Sequence, residues 1–206
     1  GEMTKAFAHQ LKSLKHDLTT DVVFDTSAPG TGKTFVAIKA FERRRKKKTG
    51  CALILAPKSL LRSTWAADFK KFAPTLKVAV ATADVRASTF EQDADAYVTN
   101  IDAVKWLAKQ PKAFFKRFDT LIIDESSAYK HATSLRSKAA AKISGHFRYR
   151  RAMTGTPNGR SITDVWHQAF LLDGGERLGK SFYGFRNSVC TPTQVGNSAQ
   201  AIRWED

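Results

Sequence analysis

The stretch DTSAPGTGKT, Asp25 to Thr34, lies between the apolar run Val22-Val23-Phe24 and the apolar Phe35-Val36-Ala37-Ile38. A flexible glycine loop stands where a buried strand hands over to a helix. In such a strand–GxGK[ST]–helix unit the glycines let successive backbone N–H groups turn inward, and the new helix points its positive dipole end at the same place. Phosphate is then gripped mainly by backbone. The stretch therefore predicts a P-loop in which Pro29, Gly30, Thr31 and Gly32 form the cradle, Lys33 reaches the β- and γ-phosphates and the Thr34 hydroxyl ligates magnesium. The general pattern has a glycine six residues before the lysine, and Ser27 stands there. A plain glycine turn without a ligand is the competing reading.

A P-loop needs an acidic partner, because the nucleotide's metal must be held and a water activated. FDTLIIDE, residues 118–125, supplies a short apolar strand ending in two carboxylates. Asp124 is expected to hold the magnesium and Glu125 to polarise the water. Parallel strands deliver their carboxyl ends to one edge of the sheet, where open α/β folds bind ligands.

Outward from these motifs, short apolar runs alternate with longer amphipathic stretches, the rhythm of a parallel sheet with crossover helices. Strands are predicted at 22–25, 52–56, 77–81, 96–99, 120–123 and 151–154, and helices at 4–15, 33–47, 60–72, 103–109, 134–143 and 162–172. The expected class is α/β: a P-loop NTPase with a RecA-like three-layer fold and a mostly parallel central sheet. One nucleotide-binding domain over 1–190 is expected, followed by a polar tail over 191–206.

The 34 Lys+Arg against 19 Asp+Glu give a net charge of +15, which suits a polyanionic partner such as nucleic acid. The run Arg43 to Lys48 sits at the C-terminal end of the helix that the P-loop opens, where cations complement the dipole, and is read as solvated. Phe69, Phe72, Phe114, Phe115 and Phe118 are read as core. Only Cys51 and Cys190 are present, which fits a reducing compartment better than a disulfide framework. No run of about eighteen apolar residues suggests a membrane span. A cytoplasmic monomer, nuclear if the source is eukaryotic, is expected.

With these motifs in place, the chain resembles the helicase-like ATPases of superfamily 2, and within them the SWI/SNF-type translocase branch. The resemblance rests on Phe7-Ala8-His9-Gln10, on SAPGTGKT with Ser27 in place of the family's alanine, and on LILAPKSLLRSTWAADFKKF from Leu53. It continues through VTNIDAVKW from Val98, DESSAYKHATSLRSKAA from Asp124 and RAMTGTPNGRSITDVWHQAFLLDGG from Arg151. The acidic box reads DESS where DEAH is common, and Asn158 follows Pro157 directly.

The resemblance implies ATP with Mg2+ as cofactor and Gln10 as an adenine contact. It implies Pro57, Lys58, Ser59, Thr99 and Asn100 as contacts to the nucleic-acid backbone, and Thr154, Gly155 and Thr156 as couplers of nucleotide state to grip. The partner it implies is double-stranded DNA, held with little sequence preference and steep salt dependence. Such motors have a second RecA-like lobe carrying arginine fingers, and nothing after Pro157 resembles those later motifs. That lobe is expected elsewhere in the full-length chain or on a partner, and this lobe alone should hydrolyse ATP very slowly. The implied activity is an ATP-driven translocase on duplex DNA. A strand-separating or branch-migrating helicase, a motor on RNA, a nucleotide-gated DNA-binding module without motor activity, and a metabolic P-loop kinase stand as alternatives.

Overall fold

The computed structural model describes residues 22–25, 32–47, 50–124, 135–153, 192–194 and 202–204. Six strands form one sheet: β1 (Val22–Asp25), β2 (Cys51–Ala56), β3 (Val78–Ala81), β4 (Ala96–Asn100), β5 (Phe118–Asp124) and β6 (Tyr149–Met153). Their order is β1-β6-β5-β2-β4-β3, and every neighbouring pair is parallel. CALILA, strand β2, is buried at all six positions. A central strand of a parallel sheet is covered on both faces, which is why it reads as an unbroken apolar run. VAVA, strand β3, alternates half-buried and buried residues, as suits its place at the sheet edge.

Side chains alternate across each strand and so feed two separate cores. On one face Ala52, Ile54, Val98, Ile122 and Met153 pack against Ile38 and Phe41 of α1 (Lys33–Arg45) and against Leu61, Trp65 and Phe69. On the other, Leu53, Leu55, Tyr97, Leu121 and Ile123 pack against α4 (Val104–Ala108) and α5 (Leu135–Ser144) through Val104, Leu107, Ala140 and Ile143. The result is the three-layer α/β/α arrangement that the alternation of elements predicts. Phe69, Phe115 and Phe118 are buried and Phe72 and Phe114 partly so, as read for core aromatics.

The predicted segment 60–72 is helical but not uniform. Pro57 is extended (φ −56°, ψ 141°), and a 3-10 turn over Lys58–Leu60 leads into a π-helical turn over Leu61–Ala66 and then α2 (Ala67–Phe72). Two helical pieces escaped the sequence reading: Ala83–Val85 running into α3 (Arg86–Phe90), and the 3-10 stretch Lys112–Arg117. Neither is long enough to establish a 3.6-residue period. Within the expected tail, β7 (Pro192–Gln194) and β8 (Ile202–Trp204) pair antiparallel. The predicted helices at 4–15 and 162–172 lie outside the described residues.

The basic run at the C-terminal end of α1 is partly built into the fold. Arg45 donates to Asp95 Oδ1 at 2.6 Å and to the Gly50 carbonyl at 2.7 Å, and the Arg44 guanidinium lies 4.3 Å from the Tyr149 ring centroid. Among the described residues no helix is long and apolar enough to cross a membrane.

Candidate active site

All six strands point their carboxyl ends to one edge of the sheet, and strand register aligns those ends. Asp25 pairs with Met153 and Met153 with Asp124, while Ala56 pairs with Asn100. The end of β1, from which the P-loop departs, is thus brought level with the end of β5, which carries the acid.

Gly32 precedes α1 with φ 80° and ψ 21°, a left-handed conformation that a residue without a Cβ adopts freely. From the first position of α1, Lys33 reaches across to β5. Its Nζ stands 3.8 Å from Asp124 Oδ1, with the two side chains 10% and 3% exposed. The other oxygen of this carboxylate, Oδ2, accepts a 2.9 Å hydrogen bond from the Trp65 indole Nε1. Thr34, the next residue of α1, donates its hydroxyl to Asp68 Oδ2 at 2.6 Å.

This arrangement fits a hard divalent cation bound beside phosphate. The donors are oxygens, as magnesium prefers, and they stand beside a lysine ammonium at a helix N-terminus, where anionic phosphate is favoured. Because Thr34 gives its one proton to Asp68, its oxygen lone pairs remain as acceptors toward a metal.

The neighbouring strand ends form a second, more exposed stretch of the same edge. Lys58 and Ser59 are exposed, and the Ser59 carbonyl accepts from Ser63 Oγ at 2.9 Å. Asn100 is half-buried, and its Oδ1 accepts from Arg86 Nη2 at 2.6 Å. The Thr99 side chain is fully buried and its hydroxyl donates to the Ala81 carbonyl at 2.6 Å, tying β4 to β3.

The SNF2-related domain family matches residues 25–203, most of the chain. The chain belongs to the SNF2-related domain family. This SNF2-related domain is 30% identical over 168 residues to protein p41 of Acyrthosiphon pisum secondary endosymbiont phage 1, a match covering 76% of this chain and 36% of that protein. It is 32% identical over 146 residues to an ATP-dependent helicase of Mycoplasma genitalium, covering 66% of this chain and 13% of that one. The chain thus spans about a third or less of these relatives' length. In structure it is similar to the SWI2/SNF2 ATPase core of Sulfolobus solfataricus solved in complex with double-stranded DNA, with a TM-score of 0.68 and 25% identity over 95% of this chain and 40% of that one. The domain therefore has the RecA-like fold of the SWI2/SNF2 ATPase core.

Of the residues that sequence reasoning singled out in this SNF2-related domain, Gly32, Lys33, Thr34 and Asp124 come together at the ends of β1 and β5. Pro57, Lys58, Ser59 and Asn100 line the ends of β2 and β4. Gln10, Pro29, Gly30, Thr31, Glu125, Thr154, Gly155 and Thr156 lie outside the described residues. Trp65 and Asp68 were not predicted. The signal available was a tryptophan and an acid one helical turn apart, since a buried indole N–H requires an acceptor and an acidic one must be reached from some element.

Proposed function

We propose that this domain couples ATP hydrolysis to movement along double-stranded DNA. The observation that carries the reading is the meeting of Lys33 with the buried carboxylate of Asp124 on the same sheet edge that exposes Lys58 and Ser59. Gln10 would read the adenine, and Pro29 to Gly32 would enclose the phosphates with backbone N–H groups. Lys33 would neutralise charge on the β- and γ-phosphates, and Thr34 and Asp124 would hold magnesium. The metal, when bound, would supply positive charge that offsets the charge of the phosphates. Glu125 would take the proton of the attacking water.

On the neighbouring strand ends, Lys58 with Pro57, Ser59 and Asn100 would grip the phosphate backbone, which positions a duplex without reading its sequence. Thr154, Gly155 and Thr156 directly follow β6, between β1 and β5 in the sheet, where a change at the γ-phosphate could be felt by the grip. A second lobe would add arginine fingers, worth roughly a thousandfold or more, and without it hydrolysis would be very slow.

The test is ATP hydrolysis by the protein together with its second lobe, titrated with plain duplex, single-stranded and forked DNA and with RNA, beside a Glu125→Gln control. Strong stimulation by plain duplex is expected. Stimulation only by forked or single-stranded DNA would replace translocation with strand separation. No stimulation by any nucleic acid, with Glu125→Gln unchanged, would leave a binding module. In addition, Lys33→Ala should abolish magnesium-dependent ATP binding and leave most low-salt duplex affinity. Equal loss of both in a folded variant would refute the separation of the two sites.

A further inference from the structure

One helical segment reaches both predicted metal-side residues. From the stretch Leu61 to Phe72, Trp65 donates to Asp124 Oδ2 at 2.9 Å and Asp68 accepts from Thr34 Oγ1 at 2.6 Å. Trp65 and Asp68 are three residues apart and therefore share a helix face. Their partners come from different elements, the end of β5 and the first turn of α1. Leu61, Trp65 and Phe69, spaced by four, anchor the segment against Ala52, Ile54 and Ala56 of β2. The segment begins directly after Lys58 and Ser59, and Ser63 Oγ bonds back to the Ser59 carbonyl.

We propose that Trp65 and Asp68 are positioning residues for the magnesium site, and that through them the seating of this helix sets how well the metal is held. The inference rests on the ATPase reading above. A hydroxyl can ligate a cation only through its lone pairs, and a Thr34 proton turned toward the metal would oppose binding. Asp68 removes that orientation by taking the proton. A carboxylate at a strand end can rotate about its terminal bond, and the indole N–H holding Oδ2 turns Oδ1 toward Lys33. Partners of this kind act on a metal site through its ligands, and their loss lowers metal affinity about 10- to 100-fold. The backbone between grip and site runs through 3-10, π-helical and α-helical turns in succession, and single π turns inside helices recur at functional sites. A small shift of Lys58 and Ser59 on engaging a backbone would therefore be carried, along one anchored segment, to both metal-side residues.

The experiment is a magnesium titration of fluorescent ATP-analogue binding to the 206-residue chain, for the parent, Asp68→Ala, Asp68→Asn, Trp65→Phe and Lys33→Ala, with thermal unfolding in EDTA recorded for each. Asp68→Ala is expected to raise the half-saturating magnesium concentration about tenfold. Asp68→Asn keeps an acceptor oxygen and should stay within about threefold of the parent, a rescue that a merely structural role does not predict. Trp65→Phe keeps the ring and removes the donor, and should shift the magnesium requirement in the same direction as Asp68→Ala. Unchanged magnesium dependence in folded Asp68→Ala and Trp65→Phe overturns the inference. Equal impairment of Asp68→Ala and Asp68→Asn overturns the orientation argument. If Lys33→Ala binds the nucleotide as the parent does, the nucleotide-site reading itself fails, which is a separate outcome.

Discussion

Replacing Thr99 with valine separates a structural role from a nucleic-acid contact. Valine keeps the β-branched shape and its preferred rotamer, so the strand geometry survives and only the hydroxyl is lost. That hydroxyl lies in a fully buried side chain and donates at 2.6 Å to the carbonyl of Ala81, the last residue of β3 and the register partner of Thr99. The lost bond contributes about 0.5–1.5 kcal/mol net, and part of a further ~1–3 kcal/mol arises if the carbonyl is left less well satisfied. Burying a methyl group in place of the oxygen offsets up to about 0.8 kcal/mol.

The expected destabilisation is about 1–2 kcal/mol. At roughly 2–4 °C per kcal/mol for a domain of this size, Tm should fall by about 2–8 °C. The assay pairs thermal unfolding with duplex binding by fluorescence anisotropy at several salt concentrations. Duplex affinity and its salt slope should match the parent, whereas Lys58→Ala should flatten the slope by about 0.9 if that lysine contacts a phosphate. A Thr99→Val variant with unchanged Tm and clearly weakened duplex binding would refute the reasoning, because the hydroxyl would then be serving the ligand rather than β3.

Two further outcomes follow from packing and charge. A Cβ added at Gly50 would stand 2.2 Å from Asp119 Cγ and 2.6 Å from its Cβ, so Gly50→Ala must displace the start of β5. Overpacking of this kind costs about 1–3 kcal/mol, and denaturant unfolding should show the loss without a change in m-value. His146 stacks on Phe115 with ring centroids 4.1 Å apart, and burial there, followed by the charges of Lys112 and Lys142, lowers its pKa from the ordinary 6.5. The fold therefore disfavours the imidazolium. This contribution to stability is fully present above pH 6.5 and is lost as pH falls through the lower folded value. His146→Phe should make Tm fall less steeply between pH 7 and pH 5. An NMR titration placing the His146 midpoint at or above the ordinary value would contradict this assignment.

Strand and helix assignment was largely legible because the relevant forces are local. The unbroken run CALILA could be buried only in a two-sided sheet, and the alternation of such runs with amphipathic stretches left little but a parallel α/β arrangement. The meeting of Lys33 with the acid that ends FDTLIID was anticipated for a chemical reason: the proposed phosphate and magnesium site calls for those groups at strand ends. Short pieces such as Lys112–Arg117 were not, because six residues of 3-10 helix cannot display a 3.6-residue period.

The sequence by itself determined the element types and the three-layer class, and it singled out Lys33, Thr34 and Asp124 as the proposed phosphate and metal residues. Only the tertiary structure decided the strand order β1-β6-β5-β2-β4-β3 and, through it, which side chains meet at the ends of the strands. Trp65 finds Asp124 across 59 residues of chain and Thr34 finds Asp68 across 34. Thr99, itself an expected backbone contact, donates its hydroxyl to Ala81. The physical reason is the same in each case. Periodicity reports how polar each face of an element is, whereas a polar group's partner depends on which elements lie side by side and in what register.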